Sequence, residues 1–523
     1  MKRRNFIKQA GTLASTPFVL NGLGISAMSK PWYFDSISAE IDKVLVLIRL
    51  SGGNDGLNTL IPLDQYGNLF NARQNILIPE NNIMGITDTL GLHPSMGGMR
   101  NLFDDGHLGI VQSVGYPNQN RSHFKSMQVW YTGQPEQSEQ GTGLTGWLGR
   151  HLDEEVEGFP YGYPNQVFPD PFAIAMGDYV SETCQGQAAN YSIALHNPFE
   201  LSDLAEWGGS NFGGLYGDEL AFLRDKITQT NSYFGQIETA VDAGANEVNY
   251  PQTEMGQHLK HIARMISGGL ETKIYTVNLS GFDTHANQVS HGQPLTGMHA
   301  ELLQTVSDAL QAFQEDLVQQ GLNERVIGMT FSEFGRQIRS NSSRGTDHGT
   351  AAPLFLFGSC INPGILGENP EIPDSVEPQE GVPMQYDFRD VYGSVLMDWF
   401  EVPEDTVRGL LYDDFQHLPI VSGCEAPVSA EDSGIVPTLR VRGYPNPFRE
   451  TATIEFSTTE PEWIRLAILN PLGQEVSVLF DRRVNPGEHQ VSFDGSHLPA
   501  GNYYFRLTTR SGQAKTRLLA KSQ

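Results

Sequence analysis

Five consecutive apolar residues, Val44-Leu45-Val46-Leu47-Ile48, run through Arg49-Leu50 and stop at Ser51-Gly52-Gly53-Asn54-Asp55. A run of this kind suits a strand buried on both faces, as in a parallel sheet covered by helices. The arrangement recurs. Leu108–Val114 leads into GYPNQNRSHF, Ile274–Leu279 into SGFDTH, and Val326–Phe331 into SEFGR, while a further apolar run, Pro353–Gly358, follows GTDHGTAA. Between the third and fourth runs, Leu302, Val306, Leu310, Phe313 and Leu317 share one helical face that ends near Gly321, completing a β-α-β unit. The pattern predicts an α/β domain with a mostly parallel sheet and helices on both faces. Ligands of such sheets bind outside the carboxyl ends of the strands. The candidate functional residues are therefore those just beyond the apolar runs.

This domain is expected over residues 40–424. Residues 134–270, with helical stretches near Leu220–Val241 and Met255–Ile266, read as a helical insertion or cap, and YDFRDVYGSVLMDWF predicts a helix near the end of the domain. Residues 425–438 read as a linker. From Leu439 the pattern alternates through TATIEFST, WIRLAILN, QEVSVLF, HQVSFDG and GNYYFRLTT, with Gly- and Pro-containing turns between, so residues 439–523 predict a small antiparallel β-sandwich.

A formal charge of −27 argues against nucleic acid and anionic membrane as partners. It does not exclude a small anionic ester, because a metal or a local arginine reverses the potential inside one pocket. The three cysteines, Cys184, Cys360 and Cys424, are widely spaced with no CxxC, which indicates no zinc-thiolate site and permits at most one bridge within the chain. The first 29 residues, with Arg3 and Arg4 ahead of the moderately apolar Ala10–Met28, resemble a twin-arginine export signal and make a poor transmembrane span. At the other end, YPNPF, ILNPLGQEV, LPAGNYYFRL and the basic KTRLLAKS resemble the C-terminal sorting domain of the type IX secretion system. Those resemblances imply passage through the periplasm to the cell surface or beyond, with the two export machineries as partners.

At the ends of the runs stand Asp55; Arg121, Ser122 and His123; Asp283 and His285; Glu333 and Arg336; and Asp347 and His348. Carboxylates and imidazoles converging on one edge suit a divalent cation, with zinc ahead of manganese, magnesium or calcium. Each member also has a plainer reading: Asp55 as a turn or cap residue, Ser122 as a helix N-cap, Glu333 with Arg336 as an ion pair within one turn. His93 and His107 read as structural.

LSGGNDGLNTLIPLDQY, GYPNQNRSHFKSMQVW, GFDTH, TFSEFGRQIRSNSSRGTDHGTAAPLFLFG and DFRDVYGSVL resemble the domain-of-unknown-function 1501 family of exported bacterial proteins, a distant branch of the alkaline phosphatase and sulfatase superfamily. The resemblance implies an alkaline phosphatase-like fold and a secreted metal-dependent hydrolase of phosphate or sulfate esters. Mapped by order, Asp55, Asp283, His285, Glu333, Asp347 and His348 are the expected metal ligands. Ser122 is the expected nucleophile, with Arg121 and His123 beside it and Arg121 placed to clamp an ester oxygen. Three departures are visible: Asp283 and His285 are closer in sequence than the phosphatase pattern, Glu333 has no adjacent histidine, and Ser122 is not in the Asp-Ser-Ala setting; separately, neither Cys184 nor Cys360 stands in a C/S-x-P-x-R run, which disfavours a typical sulfatase. They leave an alternative, an exported binding or structural protein on a catalytically degenerate shell.

Overall fold

The computed structural model describes residues 43–134, 145–156, 158–201, 215–422, 424, 440–444, 448–458, 461–469, 475–485, 487–499, 501–509 and 514–522. The signal-like residues 1–29 and the linker 425–438 lie outside them. The chain divides into two compact units, Met1–Ala426 and Pro427–Gln523.

The first unit is built on a nine-stranded sheet. Its strands are β1 (Val44–Ser51), β2 (Leu108–Gly115), β3 (Ala173–Met176), β4 (Ser192–Leu195), β5 (Ile274–Ser280), β6 (Val326–Phe331), β7 (Ala352–Gly358), β8 (Gly364–Leu366) and β9 (Tyr386–Asp387). They lie in the order β8-β2-β7-β6-β1-β5-β3-β4, with β9 beside β2. Strand β1 is parallel to β5 and β6, β3 is parallel to β5 and β4, and β2 is parallel to β8 and β9. Only β7 runs against its neighbours β2 and β6. The carboxyl ends of β1, β2, β5 and β6 therefore share one edge with the amino end of β7.

Alternation along β1 explains why its run is continuously apolar. Val44, Val46, Ile48 and Leu50 pack on one face with Met99 and Leu102 of α3 (Gly97–Asp104), Leu259, Ile262 and Ile266 of α7 (Glu254–Ser267) and Leu303, Val306, Leu310 and Phe313 of α8 (Met298–Gln319). Leu45 and Leu47 pack on the other with Met127 and Trp130 of α4 (His123–Thr132), Trp147 and Leu152 of α5 (Trp147–Glu155) and Val391, Tyr392 and Val395 of α9 (Phe388–Asp398). Successive side chains of a strand point to opposite faces, so a strand between two helical layers needs apolar residues at every position. Helix α8 stops where Gly321 takes a φ of +69° and Leu322 N–H donates to the carbonyl of Leu317 at 2.8 Å, an end that glycine makes at no steric cost.

The segment expected as a helical insertion is more than that. It supplies α5, α6 (Leu215–Ala243) and α7, but also the edge strands β3 and β4. Those strands, AIAM and SIAL, are four residues long, too short for a periodic signal to show them in the sequence.

The second unit contains two antiparallel sheets. One pairs β10 (Arg440–Tyr444), β11 (Thr451–Thr458) and β14 (Gly487–Asp494); the other pairs β13 (Glu475–Val484), β12 (Glu462–Leu469), β15 (Gly501–Thr509) and β16 (Ala514–Lys521). Ile454, Phe456, Ile464, Leu466, Phe493, Phe505 and Leu507 form its own core. Among the described residues, no helix is long and apolar enough to cross a membrane.

Cys360 and Cys424 form a disulfide across a separation of 64 residues, while Cys184 is free and buried. A bridge of this kind persists in an oxidising compartment. Closing a loop of that length removes chain entropy from the unfolded state, so Cys424→Ser is expected to cost about 4 kcal/mol of stability. A urea unfolding series with and without reductant checks this: the wild-type midpoint should fall on reduction, and that of the variant should not move.

Candidate metal centre

The turn after β1 is dictated by two glycines. Gly52 and Gly53 have φ of +123° and +88°, and a Cβ would sit 2.2 Å from the backbone nitrogen of Asp283 at Gly52 and 2.5 Å from the Phe334 ring at Gly53. Only glycine permits both the positive φ and the close approach. The chain then enters α1 (Gly56–Thr59), whose first turn is closed by Asn58 and Thr59 N–H groups donating to the Asp55 carbonyl at 3.1 and 3.0 Å.

Asp55 does not join the other carboxylates. It is buried, and its two oxygens accept from Nη1 of Arg73, at the end of α2 (Tyr66–Arg73), at 2.8 and 2.9 Å. Nε2 of Gln288 donates to Oδ2 at 2.6 Å. Burial alone would raise its pKa, but Arg73, His299 and Gln288 together hold it below the usual carboxylate value. Asp55 stands at the N-cap position of α1, but its side chain makes no cap hydrogen bond, and Arg73 is the cation opposite it. His93 and His299 lie beside this network, buried, with pKa values pushed down by burial to about 3 and about 4.

The remaining candidates converge. Arg336, buried after β6, gathers the strand ends: Nε donates to the carbonyl of Gly53 at 2.8 Å, Nη1 to that of Thr346 at 2.8 Å, and Nη2 to that of Phe282 at 2.9 Å. Nη2 also donates to the Gly52 carbonyl and, at 2.7 Å, to Oδ1 of Asp283. Arg336 thus pairs with Asp283 rather than with Glu333. An isolated antiparallel bridge between Arg336 and His348, with Gln337 N–H donating to the Asp347 carbonyl at 2.9 Å, lays SEFGRQ against TDHGT.

Around Asp283 stand three imidazoles. Nε2 of His348 is 3.1 Å and Nε2 of His285 3.2 Å from Oδ1 of Asp283, and the two Nε2 atoms are 2.9 Å apart. Nε2 of His123 is 3.5 Å from Oδ2 of Asp283. Donor atoms of His123, Asp283 and His348 all lie within 4.8 Å of one another. Phe334, buried, backs the rings of His348 and His123 at centroid distances of 4.5 and 5.0 Å.

Each ring has its other nitrogen fixed. Nδ1 of His348 faces the carbonyl of Arg121 at 2.8 Å, Nδ1 of His285 faces Oδ1 of Asp347 at 2.7 Å, and Nδ1 of His123 faces Oε1 of Glu333 at 2.8 Å. Carbonyls and carboxylates only accept, so each Nδ1 carries the proton and each Nε2 is left as the donor atom. Glu333 is buried and held in turn by Gly52 N–H, which donates to Oε1 at 2.9 Å. Burial disfavours the charged form of both Asp283 and Asp347, yet the hydrogen bond and charge of Arg336 at the first, and hydrogen bonds from His285 and Asn341 at the second, hold each below its usual value. His123 is shifted up, chiefly by its hydrogen bond to Glu333, and His348 is shifted down by burial.

Ser122 occupies the N-cap position of α4 with a φ of −86° and ψ of 125°, but its side chain makes no cap hydrogen bond and is exposed. Arg121 enters the cluster through its carbonyl.

Residues 442–521 match the family described as secretion system C-terminal sorting domain. The chain ends in an export address. That domain directs the protein to the cell surface or beyond. Residues 238–390 match the family described as protein of unknown function (DUF1501), a stretch that holds Asp283, His285, Glu333, Asp347 and His348 but not Asp55, Ser122 or His123. No curated protein matches the chain. Among solved structures, a protein in the alkaline phosphatase superfamily from Vibrio parahaemolyticus is similar at 10% identity and a TM-score of 0.30, covering 90% of this chain and 81% of its own. The PsFucS1 sulfatase from Pseudoalteromonas sp. is similar at 10% identity and a TM-score of 0.31, covering 89% and 88%. Dimeric latent PorU from Porphyromonas gingivalis is similar at 18% identity and a TM-score of 0.15; the likeness covers 17% of this chain, which spans only 10% of the PorU chain.

The Asp55–Arg73 pair supports a stability prediction. Removing one partner of a buried pair leaves the other uncompensated, so Asp55→Asn is expected to cost about 3–5 kcal/mol. Because the folded pKa of Asp55 lies below the unfolded value of about 3.9, the pair contributes stability above that value and loses it as the pH falls through the folded pKa. Urea unfolding at neutral and acid pH checks both: the variant should be weaker at neutral pH and should show a smaller loss on acidification.

Proposed function

We propose that this chain is an exported metal-dependent hydrolase of phosphate or sulfate esters, with Asp283, His285 and His348 holding a divalent cation. The observation that carries the reading is the contact between Nε2 of His285 and Nε2 of His348 at 2.9 Å. With both Nδ1 atoms protonated against acceptors, two lone pairs face each other across that gap, and a cation is what makes the approach favourable. The charges agree. Asp283, Glu333 and Asp347 against the single guanidinium of Arg336 leave two negative charges in the cluster when the imidazoles are neutral, the amount a divalent ion balances.

A cation bound there supplies Lewis acidity toward an ester oxygen. The chain's own residues do the rest. Arg336 keeps the β1, β5 and β6 ends in register, and Asp347 and the Arg121 carbonyl hold the two imidazoles in the ligating tautomer. Ser122, uncommitted as a cap and next to His123, is the nucleophile of this reading. The reaction breaks the phosphorus–oxygen or sulfur–oxygen bond of the ester and consumes one water, releasing an alcohol and the inorganic anion. A second reading, an exported binding protein on the same shell, draws on Asp55, which the superfamily pattern offers as a ligand and which Arg73 occupies here.

Elemental analysis of full-length protein tests the two. The hydrolase reading expects bound zinc or manganese that is lost in His348→Ala, together with turnover of a chromogenic phosphate or sulfate ester that falls at least about a hundredfold in Ser122→Ala with metal content unchanged. Bound metal without turnover of either ester would favour the binding protein.

A further inference from the structure

We infer that the centre is mononuclear and built on three imidazoles and one carboxylate, with His123 as its fourth donor and Glu333 as a positioning residue for His123 rather than a ligand. This inference rests on the metal-dependent reading above and specifies its ligand set.

The geometry begins with Glu333. It is buried, its Oε1 accepts from Gly52 N–H at 2.9 Å and from Nδ1 of His123 at 2.8 Å, and its backbone carbonyl accepts from Nε1 of Trp130 at 3.0 Å and Nε2 of Gln119 at 3.0 Å, and from the Ser126 hydroxyl. A carboxylate so committed is oriented toward the imidazole and not toward the cluster centre. The result is a third copy of one device. His123 rests on Glu333, His285 on Asp347 and His348 on the Arg121 carbonyl, and all three turn Nε2 toward Asp283. Ligating histidines characteristically donate their other N–H to a carboxylate or a carbonyl, which fixes the ring and raises its basicity.

The spacings suit one ion. Nitrogen and oxygen ligands about 2.0–2.1 Å from zinc in a tetrahedron lie about 3.3 Å from each other. Nε2 of His285, Nε2 of His348 and Oδ1 of Asp283 stand 2.9, 3.1 and 3.2 Å apart, and Nε2 of His123 stands 3.5 Å from the other oxygen, Oδ2, of the same carboxylate. A second ion would need further carboxylates at the same edge, and the three candidates are already engaged: Asp55 with Arg73, Glu333 with His123 and Gly52, and Asp347, through Oδ1, with His285 and Asn341. A donor set with three imidazoles also selects zinc, cobalt or another borderline transition metal over magnesium or calcium, which prefer all-oxygen shells.

The test is a titration of metal-stripped full-length protein with Co2+ and Zn2+, following the cobalt ligand-field absorption and the bound stoichiometry, with circular dichroism to confirm folding. One equivalent is expected. Glu333→Gln, which keeps the volume and an acceptor for Gly52 N–H, should weaken Co2+ binding about 10–100-fold. His123→Ala should weaken it further and alter the cobalt spectrum, and Mg2+ in excess should not displace Co2+. Two equivalents, or a folded His123→Ala with wild-type affinity and spectrum, would overturn this ligand set while His348→Ala still lost metal and the hydrolase reading stood. No Co2+ or Zn2+ binding by the wild type would overturn both. One equivalent bound without ester turnover would uphold the centre and count against the hydrolase alone.

Discussion

The guanidinium of Arg336 is the interaction on which the site depends. It is buried where the turns after β1 and β5 meet the TDHGT segment, and its donors are distributed over the carbonyls of Gly52, Gly53, Phe282 and Thr346 and the carboxylate of Asp283. Those carbonyls belong to chain turns that cannot satisfy them by secondary structure. A planar, permanently charged group with several donors in fixed directions meets that need in a way that lysine does not. The same contact fixes Asp283, so the centre of the cluster is set by the residue that closes the loops.

A rigid edge has a chemical consequence. Imidazoles on free loops would exchange tautomers and rotate, whereas here each Nδ1 is held by an acceptor supplied from a different strand end or from the start of α4. Orientation of the three rings is thus set by the fold, and the cost of ordering them is met on folding. The β-sandwich is separate in sequence, has its own core and carries the export address.

Much of this was legible in the chain. The apolar runs at Val44, Leu108, Ile274 and Val326 marked strands buried on both faces, and the residues just beyond them marked the functional edge, because a parallel sheet puts all its carboxyl ends together. Two things were hidden. The strands Ala173–Met176 and Ser192–Leu195 are too short to show a period. Asp55, chemically indistinguishable in sequence from Asp283, is neutralised by Arg73, 18 residues away, and no local pattern encodes such a partner.

The sequence by itself determined which residues reach the edge: glycines that allow the turn, and carboxylates and histidines placed just after apolar runs. Only the tertiary structure decided their roles. Whether a carboxylate faces a guanidinium, an imidazole or the centre of the cluster depends on side chains brought together from 18 to 210 residues apart. Asp55 became half of a buried ion pair, Asp347 and Glu333 became supports for His285 and His123, and Asp283 became the centre. The physical reason is that a charge takes its role from its nearest buried partner, and that partner is fixed by packing and not by spacing along the chain.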